Sequence, residues 1–304
     1  MAALKRAKSR TKRLRQRGGS RRHVSTKKLP MPGPSQCHPS LGKETPMQGC
    51  IPVDVLHRVR NQLHISNNLN DIQLRKEIET RLNSPPGAER TFLYKLPIAE
   101  QEKADIARRY LRPAMPSTWK SDPDMWLDSN NISAVMNQYE DAYPYFEFMG
   151  PFPVDFAAPD PYQKAGGQPK CLMNEICELR VTQALANGTK SIGVVYNLDP
   201  HFKSGSHWVA TYIDIVGHKC YYFDSYGMAP PQQIARFMKW LTTQDPKMSL
   251  FYGSRRLQFN NTECGIYCMY FIIRMLEGDK FLEITRRKPS DSDMLDLRDW
   301  LFST

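Results

Sequence analysis

The sequence contains no run of eighteen or more apolar residues, so no segment is expected to cross a membrane as a helix. Its basic opening has no apolar segment behind it, so a secretory leader is not expected either. Cysteine is sparse: seven in 304 residues, an odd number at wide, irregular spacing. That pattern predicts no disulfide framework and a reduced, intracellular protein. Cys37-His38 and Cys50 lack zinc-site spacing and a second pair, so no metal or other cofactor is expected. The chain also lacks a Gly-rich phosphate-cradling loop, which speaks against a coenzyme A site and hence against an acyltransferase.

Acid is missing from residues 1–28, which hold twelve Lys and Arg. The other thirty basic residues face all thirty-one acids, leaving residues 29–304 at −1, so the whole excess of +11 sits in the arm. Residues 1–46 have almost no periodic apolar residues and are expected to be a disordered basic arm. Its Lys5, Arg6, Lys8, Arg10, Lys12, Arg13, Arg15, Arg17, Arg21 and Arg22 are candidate contacts to DNA, made without reading base sequence. A host-nucleus import signal has the same composition.

With 40% apolar and 11% aromatic content, the remainder has ample material for a core. Residues 47–116 suggest a small helical region with thin apolar faces, packed on the body, with helices from Ile51 to His64, Asn70 to Leu82 and Ala99 to Leu111. The body, residues 117–304, opens with an amphipathic helix entered through Asp128 or Ser129. Residues 140–168, rich in Tyr, Phe, Pro and Gly, read as a long loop. A helix from Leu172 to Ala186 and a buried strand, Ile192 to Tyr196, follow. Trp208 to Val216 and Lys219 to Phe223 are β-branched and aromatic runs divided by Gly217-His218, a hairpin signature. A helix after Pro230-Pro231, a strand from Phe251 to Phe259 and a final helix from Ser290, with Asp293 closing a capping box, complete the pattern. Order and type give an α+β fold, with a small mixed sheet packed on a helix.

That helix is the informative one. From Cys264 to Leu276 every position but Gly265, Cys268 and Arg274 is apolar or aromatic, so the helix should be buried. A cysteine in the first turn of such a helix faces unpaired N–H groups and the positive end of the macrodipole, where reactive thiolates are made. His207 begins one hairpin strand and Asp224 follows the other, so the hairpin brings them to one end. An acid that orients an imidazole beside a thiol is the constellation of nucleophilic catalysis. Cys268, one turn deeper, is expected to be packing.

His207-Trp208, Asp224-Ser225 with the acid seventeen residues after the histidine, and Gln258 six residues before Cys264-Gly265 resemble the SUMO-deconjugating and adenovirus-type cysteine protease superfamily. Asn197-Leu-Asp199, Gly205-Ser-His-Trp-Val-Ala210 and Thr262-Glu-Cys-Gly265 resemble the maturation proteases of large nucleocytoplasmic DNA viruses, the African swine fever virus type. Arg286-Arg287, Asp293-Met294, Arg298 and Leu301-Phe302 extend the likeness. It spans residues 117–304 and, more weakly, 48–65. That viral type carries Asn in place of Asp224, a detail in which this chain is more similar to the SUMO proteases.

The resemblance implies a papain-like catalytic domain led by Cys264. It casts His207 as base and acid, Asp224 as its orienter and Gln258 as an oxyanion donor. Trp126-Leu127-Asp128 resembles the opening of the SUMO-protease domain, which implies that Trp126 and Trp208 wall a cleft fitting two glycines. The function implied is a monomeric endopeptidase that cuts structural precursors after Gly-Gly during virion maturation, in the virion and the host cytoplasm. A deconjugase of ubiquitin-like modifiers would share these residues, and a non-enzymatic DNA-packaging or virion core protein is the alternative of another class.

Overall fold

The computed structural model describes residues 31–122, 124–161, 170–287 and 289–304, together with the backbone of Lys5–Arg6. Helices α1 (Val53–Gln62), α2 (Asp71–Arg81), α3 (Glu89–Lys95) and α4 (Glu100–Tyr110) form the N-terminal region. Asn70 caps α2 in a reciprocal capping box with Gln73, which satisfies two otherwise unpaired backbone donors. The apolar faces are not thin: Leu56, Val59, Leu74, Ile78, Phe92 and Leu93 are fully buried in a core of the region's own.

Two expectations fail at its edge. Residues 31–46 do not belong to a disordered arm: Cys37 is buried, pairs with Leu111 and is disulfide-bonded to Cys50. The fully buried Arg112 explains the order, since its guanidinium donates to Pro32 O (3.3 Å) and Pro34 O (3.1 Å) and so gives this proline-rich stretch hydrogen-bond partners. The expected absence of disulfides fails as well, because Cys171–Cys177 is a second one. Odd cysteine number misled: Cys220, Cys264 and Cys268 stay free, and the other four pair. The ten arm side chains from Lys5 to Arg22 lie outside the described residues.

Helix α5 (Ser129–Ala142) starts at Asp128 in a capping box with Asn131. The stretch expected to be a loop then contains strand β2 (Phe146–Pro153), where Gly150 and Pro151 sit at an irregularity of an edge strand, which tolerates proline. The helix expected from Leu172 to Ala186 is two short ones, α6 (Asn174–Cys177) and α7 (Val181–Ala186). Strands β3 (Ser191–Asn197), β4 (Trp208–Asp214) and β5 (Lys219–Phe223), helix α8 (Gln232–Gln244) and strand β6 (Ser249–Tyr252) follow. Then come α9 (Cys264–Leu276), an unexpected α10 (Phe281–Arg287) and α11 (Asp291–Leu301).

With Lys5–Arg6 as β1, the sheet order is β1-β6-β5-β4-β3-β2, and the β3–β4–β5 meander is antiparallel while β2 and β6 join it in parallel. Lys5 and Arg6 thus pair through their backbone with Phe251 and Tyr252, a second departure from a wholly disordered arm. The sheet is covered on both faces. Val195, Ala210 and Phe223 pack with α5, α9 and α11, whereas Ile192, Val194, Tyr196 and Val209 pack with α7 and α8. A strand buried on both faces loses the apolar–polar alternation, as the continuous apolar run of β3 shows. Gly193 lets α9 approach, since a Cβ there would stand 2.9 Å from Ile272 Cγ2.

Candidate active site

Asp224 follows β5 as His207 precedes β4, and the antiparallel pairing of Ala210 with Phe223 brings the two together. His207 Nε2 lies 2.8 Å from Asp224 Oδ1, and the same oxygen accepts the Tyr226 N–H at 2.9 Å. Tyr226 stacks on the imidazole, its ring centroid 4.6 Å away. With Nε2 committed to Asp224, Nδ1 is the nitrogen left for Cys264, to which the ring is also hydrogen-bonded. Burial favours the neutral ring, yet the hydrogen bonds to Asp224 and Cys264 and the charge of both outweigh it, raising His207 to about 9.

Cys264 is the first residue of α9 and is 4% exposed, open enough for a substrate but shielded from bulk water. Cys268 and Cys220 are fully buried, and burial drives both thiols up; neither meets His207, in keeping with packing roles. Gly265 lies under Trp208, and a Cβ there would reach 3.3 Å from Trp208 Cδ1. His201 pairs with Asp155 and His218 with Asp245; His201 does line the pocket that contains Trp126 and Trp208.

Gln258 is not on a strand, as its sequence suggests, but on the loop after β6. Its N–H and that of Leu257 both donate to Ser225 O (3.0 and 2.8 Å) instead of a strand ladder. Ser225, a partner that sequence reasoning missed, also donates its hydroxyl to Gln258 Oε1 at 2.6 Å. That bond fixes which way the amide points. The oxygen is taken up, and among the described residues the buried Nε2 has no hydrogen-bond partner. A buried amide N–H₂ without a partner is costly unless something else accepts from it. The Asp-Ser pair carried the signal, since its second residue had no other use.

Trp126 is 48% exposed and Trp208 is buried, its indole N–H donating to Leu127 O at 3.0 Å. Both line a pocket of about 430 Å³ with Asn197, Asp199 and Gly205. A larger cavity, about 760 Å³ between residues 154–158 and α8, lies apart and holds none of the predicted site residues. Among the described residues no group of His, Cys, Asp and Glu could hold a metal ion. The side chains assembled here are a thiol, an imidazole whose protonated form is favoured, a carboxylate and an amide with an unpartnered N–H₂ among the described residues.

Comparison with known proteins agrees. Residues 197–301 match the Ulp1 protease family, C-terminal catalytic domain. A thiol protease of Acanthamoeba polyphaga mimivirus is 32% identical over 187 residues, 58% of this chain and 56% of that protein. The SUMO-1 cysteine protease of African swine fever virus is 32% identical over 120 residues, 37% of this chain and 44% of that protein. The matched stretches therefore span about half the length of these relatives. A crystal structure of the African swine fever virus protease superposes over 89% of this chain and 96% of its own, with a TM-score of 0.59 at 18% identity, a likeness of fold. The stretch similar to the Ulp1 catalytic domain, residues 197–301, contains His207, Asp224, Gln258 and Cys264.

Proposed function

We propose that this protein is a cysteine endopeptidase that cuts structural precursors of a virus after Gly-Gly during virion maturation. The observation that carries the reading is the part-buried imidazole of His207 held between Asp224 and Cys264, beside an amide of Gln258 whose Nε2 is free among the described residues. Cys264 Sγ, as thiolate, attacks the scissile carbonyl, and the imidazolium of His207 gives its proton to the leaving amine. Water then attacks the thioester with His207 as base, releasing the acyl group as a carboxylic acid and restoring the thiolate and imidazolium. Asp224 keeps the ring oriented throughout. Gln258 Nε2 and the Cys264 N–H stabilise the tetrahedral oxyanion, where losing one donor costs about 10²–10³ in rate.

The choice of glycine rests on Trp126 and Trp208, which line one pocket, since substrate without side chains passes most readily between two indoles. The viral setting is suggested by the mimivirus and African swine fever virus relatives. The test is incubation with Gly-Gly-containing precursor peptides, their Ala-Ala counterparts and a ubiquitin-like modifier bearing a C-terminal extension, with products identified by mass spectrometry. Cleavage after the second glycine, lost in Cys264→Ala, is expected. Cutting of the folded modifier alone would shift the reading to a deconjugase, and no cutting of any substrate would overturn both.

A further inference from the structure

The residues between Gln258 and Cys264 form a loop without a strand or helix of its own, and Phe259, Asn260 and Asn261 are exposed. Such a loop should wander, yet its two ends carry the proposed oxyanion donor and the nucleophile. Two side chains of α11, seven residues apart and so two turns along one face, hold it. Asp291, the first residue of α11, accepts with Oδ2 from the N–H groups of Phe259 and Asn260, both at 2.9 Å. Its Oδ1 lies 3.1 Å from the hydroxyl of Tyr267, on the first turn of α9. Arg298 grips the other end: its Nη2 is 2.9 Å from Glu263 Oε1, and its Nε donates to Oε2 at 3.3 Å.

Glu263 and Arg298 are 1% and 2% exposed, so this pair, next to the nucleophile, is shielded from water. The same guanidinium donates from Nη1 to Met125 O at 2.8 Å and lies over the Trp119 ring, which ties the residue before Cys264 to the residue before Trp126. Buried, hydrogen-bonded through Nε and shared between two segments, it fixes geometry in a way a surface pair does not.

We propose that α11 is a clamp that sets the distance between the Gln258 amide and the Cys264 thiol, with Asp291 and Arg298 as positioning residues for catalysis. The proposal rests on the peptidase reading of the site. Neither residue touches substrate. Their effect passes through the loop, and a displacement of about 1 Å at a reacting centre can cost on the order of 100-fold in rate.

Arg298→Ala would strand a buried Glu263 and endanger the fold, so the decisive variant is Asp291→Ala, at a partly exposed position where water can replace the carboxylate. The control is Asp293→Ala, because Asp293 caps the same helix through Ser290 and makes no hydrogen bond to the loop. Each variant is compared with the parent for kcat and KM on a Gly-Gly peptide and for affinity to a peptide aldehyde, whose thiol adduct presents an oxyanion. Amide exchange over residues 258–264 and alkylation of Cys264 by iodoacetamide are measured alongside.

Asp291→Ala should lower kcat by roughly 10- to 100-fold with little change in KM, weaken the aldehyde in proportion and speed exchange at Phe259 and Asn260. Asp291→Asn, which keeps an accepting oxygen, should recover most of the loss, while Asp293→Ala lowers Tm alone. A folded Asp291→Ala with kcat and aldehyde affinity within about two-fold of the parent overturns the proposal, as does an equal loss in Asp293→Ala. Should the parent cut no peptide, the peptidase reading fails by itself. Exchange and alkylation then decide the clamp, and unchanged values for both in Asp291→Ala would refute it.

Discussion

For a single residue the sharpest consequence belongs to His207. Its imidazole, ordinarily near 6.5, is raised to about 9 because the hydrogen bonds and charges of Asp224 and Cys264 outweigh burial. A group raised on folding contributes stability that is fully present below its unfolded value and is lost as pH rises through its folded one. The window is therefore about 6.5 to 9. Since in the proposed mechanism the imidazolium is also the acid that protonates the leaving amine, kcat/KM should hold across neutral pH and fall on an alkaline limb near 9. Asp224→Asn removes one raising charge but leaves an oxygen that can still accept from Nε2. The limb should move to lower pH by about one unit or more, each unit being about 1.4 kcal/mol, with more activity left than in His207→Ala. Profiles of kcat/KM and Tm between pH 6 and 10 check this, and an alkaline limb that stays in place would show that Asp224 orients the ring without charging it.

For whole elements the disulfides supply the prediction. Cys37–Cys50 closes a loop of thirteen residues between the described start of the chain and the entry to α1. Chain-entropy reasoning gives such a cross-link about 3 kcal/mol of stability. Cys37→Ser should lower the unfolding free energy in urea by roughly that much with cleavage of a short peptide unaffected, and an unchanged midpoint would show that the bond contributes nothing. Periodicity could not have found it. Helices α5 and α11 were legible from their caps and α8 and α9 from their apolar residues, all local signals, and so was the hairpin of β4 and β5. His207, Asp224 and Cys264 were legible for the same reason, each standing at the end of an element. Pairings were not: β2 becomes a strand only because β3 lies beside it, and Gln258 leaves its strand because Ser225 O offers a better partner. The buried Arg112 that orders residues 32–34 is a contact across about eighty residues, which no window along the chain contains.

For the molecule as a whole, the charge asymmetry remains after the fold is accounted for. Twelve positive charges lie within residues 1–28, on a remainder that is nearly neutral. Phosphate contacts position a protein on DNA without reading bases, and each neutralised phosphate releases condensed counterions. Affinity for duplex DNA should therefore fall steeply with salt, with a log–log slope of roughly −0.9 per contact, so that six to ten contacts would cost about 10³–10⁵ in affinity between 50 and 200 mM salt. Precursors that coat a genome would then be met at high local concentration by an enzyme tethered to it. Residues 289–304, by contrast, include α11, whose Asp291 accepts from the backbone of Phe259 and Asn260. Deleting residues 1–28 should remove most DNA affinity and flatten the salt slope, while cleavage of a short peptide persists, since Cys264, His207, Asp224 and Gln258 all lie beyond residue 200. If the shortened protein binds DNA as tightly and with the same slope, the phosphate contacts come from the folded body, whose thirty basic residues would then have to be clustered in spite of its neutral sum.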